Sequence, residues 1–290
     1  MLACFLLGLS GVVVHGHPDL EEQIARLTLA LEKEPANASL WLRRSDARRL
    51  HREFDLALAD LATAARLQPA WPVISLARAR TCYDALRIRE ALTAAEDFLK
   101  LEPDHAEGLL LRAQCWARLG QVDQATAGYT AALRRFAEPS PDLFLERARL
   151  QASLGRLQDA VAGLDEGVRR IGPAPALELA SIEFERQRGD LDAAVTRADA
   201  LVSRAAAKEP PQALRAELLE QAGRFSEAQD AFQRVLLGIG SYPPNRRALE
   251  ATRQLERRAR EGLARVGAKL SHPHTSAQGS GGLARRITSP

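Results

Sequence analysis

Residues 106–135 read AEGLLLRAQCWARLGQVDQATAGYTAALRR. Leu109, Ala113 and Trp116 are spaced four and three apart, and Val122, Ala125 and Tyr129 three and four apart, so each half carries one apolar stripe at helical period. Gly120 lies between the halves, where a tight turn between two helices needs φ > 0. The stretch therefore reads as one antiparallel helix pair.

The same pattern recurs along the chain. Ala57, Ala91, Ala125, Ala160, Ala194 and Ala228 are separated by 34, 34, 35, 34 and 34 residues. Three residues before each stands an apolar one: Phe54, Ile88, Val122, Leu157, Leu191 and Phe225. Two residues earlier again come Arg52, Leu86, Gly120, Gly155, Gly189 and Gly223, which predicts the six interhelical turns. Pro35, Pro69 and Pro103 fall in phase and end second helices, because the ring removes an N–H and disfavours a helical residue before it. A fixed period of this length marks a repeat architecture in which one unit cannot bury its own faces and stacked units share a continuous core.

These residues resemble the tetratricopeptide repeat family, whose pattern runs Trp-x2-Leu-Gly-x2-Tyr, then Ala-x3-Phe, then Pro. Trp41, Ser45, Ala57, Leu61 and Pro69 occupy those places in the first unit. Leu109, Ala113, Trp116, Gly120, Ala125 and Tyr129 occupy them in the third, and Ala216, Gly223, Ala228 and Phe232 in the sixth. The resemblance implies an all-α fold, a right-handed superhelical α-solenoid of antiparallel helix pairs. Six units are expected at about 38–71, 72–105, 106–140, 141–174, 175–208 and 209–241. The family leucine is replaced by Arg44, Arg78, Arg112, Arg147 and Arg215 in five of them, and each reads as a stem packed on apolar surface with its head in solvent or on an acidic neighbour.

The flanks read differently. Residues 17–37 form an N-terminal capping helix, with Leu20, Ile24, Leu27, Ala30 and Leu31 on one face. After the breaker stretch Tyr242-Pro243-Pro244-Asn245, residues up to 270 read as a basic C-terminal cap with Leu249, Leu255, Ala259, Leu263 and Val266 inward. Residues 271–290 carry no periodicity and read as a disordered tail. Residues 2–14 hold no charge and are too short to cross a bilayer as a helix. They read as the apolar core of a secretory signal spanning 1–16, or else as a buried apolar N-terminal helix of a cytosolic chain. The first reading predicts a periplasmic or secreted protein, although no Lys or Arg precedes the apolar run.

The 290 residues are 46% hydrophobic and 27% charged, which is globular composition, and aromatics at 5% beside abundant Ala, Leu and Arg favour helix. A formal net charge of +3 is too small to point to nucleic acid. The basic excess is local, with eight Lys and Arg against three Glu between Arg246 and Leu270. Membrane association is expected only through an uncleaved N-terminal segment or this basic helix. No HExxH, phosphate loop or GxSxG occurs, and the six histidines are scattered, so no catalytic residue, cofactor or metal site is expected and the chain reads as no enzyme. Cys82 and Cys115 read as core thiols, with a disulfide between them open in an oxidising compartment.

In the family the first helix of each pair lines the concave surface, so the resemblance implies two rows of groove residues. One row is Leu42, Leu76, Leu110, Leu145, Leu179 and Ala213; the other is Asp46, Arg80, Gln114, Arg149, Glu183 and Glu217. Such a groove would hold a peptide or helix of another protein by apolar anchors and flanking charges. The alternative is that the aliphatic row packs between helices and only the polar row is wet. Chaperone-binding members grip a carboxylate with Lys and Asn at these places, and neither type occurs in these rows. The function implied is a non-enzymatic scaffold or adaptor. A regulatory or assembly subunit of an envelope enzyme or secretion complex, docking through the basic C-terminal helix, is the competing reading.

Overall fold

The computed structural model describes residues 18–271, and among them all regular structure is helical. The expected signal segment, the tail after 271 and the histidines at 15, 17, 272 and 274 lie outside the described residues. Two compact units divide the chain, one ending at Pro139 and one beginning at Ser140.

The first unit contains α1 (Pro18–Lys33) and three helix pairs: α2 (Ala38–Leu50) with α3 (Phe54–Leu67), α4 (Pro72–Asp84) with α5 (Ile88–Leu101), and α6 (Ala106–Arg118) with α7 (Val122–Arg135). The second contains α8 (Pro141–Ser153) with α9 (Leu157–Ile171), α10 (Pro175–Arg188) with α11 (Leu191–Arg204), and α12 (Glu209–Gln221) with α13 (Phe225–Gly240). A short α14 (Pro244–Arg247) and the long α15 (Glu250–Ser271) follow.

Every pair closes through the same turn. Arg52, Leu86, Gly120, Gly155, Gly189 and Gly223 all have positive φ, between 60° and 83°. The next residue's N–H reaches back five positions, as from Glu53 to the Arg48 carbonyl at 2.8 Å and from Gln121 to the Trp116 carbonyl at 2.9 Å. This Schellman pairing satisfies carbonyls that a helix end leaves orphaned. Helix starts are also set locally: Asn37 Oδ1 accepts from the Ser39 N–H, Asp190 Oδ1 from the Ala193 N–H, and α4, α8, α10 and α12 carry proline in the first turn.

The repeated alanines are the closest-packed points. Ala57, Ala91, Ala125, Ala160, Ala194 and Ala228 are all wholly buried, which lets each second helix approach its neighbours. Larger residues four positions on, such as Leu61, Tyr129, Leu164 and Phe232, fill the space beside them.

The arginines in the family's leucine position take internal partners. Arg44 forks onto buried Asp60 on α3 at 2.7 and 2.9 Å, donates to Thr28 of α1, and lies 4.8 Å from the Trp41 ring centre. Arg147 donates to the Gly163 carbonyl and to Glu166, and Gly163 makes room, since a Cβ there would sit 2.9 Å from the guanidinium. Arg215 pairs with Asp199, and Arg112 lies over Trp116 at 4.6 Å. Arg78 is exposed.

Cys82 and Cys115 are free thiols, wholly buried with Ala91, so the disulfide alternative is not realised in this structure. Burial pushes the Cys115 thiol up to about 12.

The C-terminal cap departs from expectation at its start. The helix breaks at 248–249, and Leu249 is exposed instead of facing inward. From Glu250 onward Thr252, Ala259, Gly262 and Val266 are buried, with Leu255 and Leu263 half-buried against the core that includes Phe232. Gly262 is required by that approach, because a Cβ there would meet the Phe232 ring at 2.3 Å. Arg258 and Arg265 of α15 bind Glu217 and Glu220 of α12.

Candidate functional site

The two rows expected to line a groove separate into packed, paired and open positions. In the first unit Leu76 is buried, with Leu42 and Leu110 half-buried against core clusters, so these leucines hold helices together. The polar row beside them ties successive first helices. Arg49 binds both Asp46 on its own helix and Asp84 on α4; burial alone would lower its pKa, and together Asp84 and Asp46 outweigh that and raise it. Arg80 forks onto Glu107 of α6, its Nε donating at 2.6 Å. Gln114 is half-buried.

In the second unit Leu145 is buried and Ala213 wholly so, which removes both from any wet row. Leu179 is 48% exposed. Arg149 pairs with Glu146 within its own helix, and Glu183 accepts from Arg186 and Gln187. The hydrogen bond from Arg186 holds the Glu183 carboxyl below its ordinary value, with burial opposing. Glu217 is engaged by Arg258. The aliphatic row is thus mostly packing, and its open member is Leu179.

Leu179 lies in a cavity of about 570 Å³ built by α10, α11 and α12. Leu201 and Leu214 line it with Leu179, and Pro173, Pro175, Pro210 and Pro211 line it at the starts of α10 and α12. Their placement has a chemical consequence. A helix N-terminus ordinarily presents free N–H groups that bind anions, but proline at 175, 210 and 211 replaces three of them with ring methylenes. The helix starts therefore give the cavity an aliphatic wall in place of an anion-binding terminus. Glu178, Arg204 and Arg258 supply its polar lining. Arg204 donates to Glu178 and Arg258 to Glu217, which leaves each guanidinium with N–H donors to spare.

Of these lining residues the repeat register had singled out Leu179 alone. The available signal was the adjacent pair Pro210-Pro211 following Pro173 and Pro175 one unit earlier; Pro139 and Pro141 show the same spacing at the start of α8, so proline clustering alone did not single out this place.

The tetratricopeptide repeat family model matches residues 76–127 and 117–175. No curated protein matches the sequence. Among solved structures, the chain is similar to a tetratricopeptide repeat protein from Parabacteroides merdae, with 18% identity, coverage of 83% of this chain and 93% of that one, and a TM-score of 0.51. It is similar to PilW, described as a widely conserved type IV pilus biogenesis factor, with 24% identity, 64% and 86% coverage and a TM-score of 0.52. It is also similar to YrrB, described as having an unusual peptide-binding site, with 13% identity, 69% and 97% coverage and a TM-score of 0.50. At these identities the likeness is one of fold.

Proposed function

We propose that this chain, which carries tetratricopeptide repeats, is a non-enzymatic interaction scaffold that captures an extended segment of another protein by one aliphatic side chain in the α10–α12 cavity. The observation that carries this reading is Leu179. It is an exposed leucine at a position where the equivalent residues are buried or half-buried, and it lines an apolar cavity large enough for a side chain. The spare N–H groups of Arg204 and Arg258 stand ready to donate to main-chain carbonyls of a strand laid across the opening, so anchor and orientation come from one place. YrrB's peptide binding lends the reading precedent within the fold. An envelope location is part of the proposal and rests on the apolar N-terminal sequence; among the described residues no helix is long and apolar enough to cross a membrane.

Panning a random dodecapeptide library on the full chain tests this. Peptides sharing an aliphatic or proline residue, retained by the wild type and lost on Leu179→Asp, are the expected result. A set that Leu179→Asp binds equally well places the site elsewhere.

A further inference from the structure

We propose that the corner formed by α13, α14 and α15 is a second docking surface, whose occupant is an acidic protein segment carrying an apolar anchor. A separate cavity of about 570 Å³ opens there, lined by Leu236 and Ile239 of α13, Ala248 at the α14–α15 junction, Arg247, and Arg260 with its partner Glu256. Its lining thus joins an aliphatic part to a guanidinium that holds no ion pair among the described residues, Arg247, whereas both arginines of the α10–α12 cavity are on carboxylates.

The charge around it is set by how the local cations are used. Arg258 and Arg265 bind Glu217 and Glu220, which fixes the inner side of α15. Arg260 pairs with Glu256, and Arg257 makes only a long contact of 3.9 Å with Glu250 between two well-exposed side chains. Arg247 and Arg253 have no carboxylate within ion-pair distance among the described residues, and the Arg246 guanidinium stacks 3.6 Å over the Tyr242 ring. Even with Glu217 and Glu220 counted, residues 246–270 keep an excess of three positive charges. Arg253, Arg257 and Arg260 recur at helical spacing on the exposed side of α15, so the excess forms a stripe that runs into the cavity. Exposed Leu249 adjoins it.

A stripe of cations alone attracts any anion. The cavity narrows the choice, because Leu236, Ile239 and Ala248 give a concave place for one inserted side chain, and a protein segment offers carboxylates and such a side chain in fixed register. A flat array of lipid headgroups does not use the concavity, and the aliphatic lining gives a sugar-phosphate backbone nothing to pair with.

The probe is a fluorescein-labelled peptide of repeated Glu-Glu-Leu, read by anisotropy against the full chain, with Lys-Lys-Leu and Glu-Glu-Ser repeats and phosphatidylserine vesicles as the other arms. Salt-sensitive binding of Glu-Glu-Leu is expected, weakened about tenfold or more in an Arg247→Glu, Arg253→Glu double variant. Neither arginine holds an ion pair, so an unchanged melting curve shows the variant folded. Ala248→Phe, which fills the cavity and leaves the charges, is expected to weaken Glu-Glu-Leu and leave Glu-Glu-Ser unaffected. The proposal is overturned by equal binding of the two acidic peptides, by equal binding to the charge-reversed variant, or by preference for the vesicles.

Discussion

Leu76 and Leu179 occupy the same place in the repeat, one in each compact unit, yet Leu76 is buried and Leu179 half open. In the first unit the polar neighbours reach across, Arg49 to Asp84 and Arg80 to Glu107, and draw successive first helices over their leucines. In the second unit Arg149 and Glu183 spend their charge within single helices, on Glu146 and Arg186, while Glu217 pairs with Arg258 of α15, and prolines wall the space beside Leu179. Repeat position therefore fixes where a side chain starts, and its neighbours decide whether it ends as core or as contact surface.

The largest expected effect tests this contrast through the arginine ladder. In the first unit Asp60 is buried and holds both Arg44 and Arg48, so Asp60→Ala takes the carboxylate from Arg44, leaves Arg48 its 3.8 Å contact with Glu53, and is expected to cost about 3–5 kcal/mol. In the second unit Glu166 is 42% exposed, and Arg147 keeps the Gly163 carbonyl without it. Glu166→Ala takes the carboxylate from one buried arginine and is expected to cost less, about 1.5–3 kcal/mol. Chemical denaturation of the two variants gives the comparison directly, and equal losses would show that the two arginines are held alike.

A smaller difference separates two leucines of the second unit. Leu145→Asp puts a carboxylate into packed surroundings and is expected to cost about 3 kcal/mol, whereas Leu179→Asp meets water and is expected to cost under about 0.5 kcal/mol. Thermal melts read both. An early melt for Leu179→Asp would make Leu179 a packing residue and remove the basis for the binding cavity.

How much of this was legible in the sequence follows from the range of each cause. The six turns and the alanine row were readable because a positive φ and a close helix approach are local steric demands that leave a residue-type signature at fixed spacing. The site was legible only as a register. Leu76, Leu145 and Leu179 are the same letter, and what separates them lies some thirty residues away in partners such as Glu107, Pro210 and Pro211. Asp60 was likewise invisible as the partner of Arg44, since nothing in its own helix marks it as buried. The inward placing of Leu249 failed for a local reason, because the apolar pattern was carried one step too far back across the break at 248–249.

The smallest expected effect lies in the turns, where the two units differ in residue type at one backbone geometry. Arg52 and Leu86 hold φ at 68° and 60° in two of the first unit's three turns, the third being Gly120, while the second unit uses Gly155, Gly189 and Gly223 throughout. A side chain in this left-handed region costs roughly 1–2 kcal/mol, because Cβ crowds the carbonyl oxygen that follows. Gly223→Ala is therefore expected to lose about 1 kcal/mol, the balance of backbone strain against the freedom taken from the unfolded chain, since an added Cβ there meets nothing within 4 Å. Leu86→Gly reverses the exchange. Its side chain is 69% exposed, so little packing is lost, and the relief of strain is partly offset by the extra freedom glycine gives the unfolded chain. A net gain of about 0.5 kcal/mol is expected, read as a small upward shift in the urea midpoint at unchanged slope. Destabilisation by Leu86→Gly would mean that the exposed leucine makes a contact worth more than the strain it imposes.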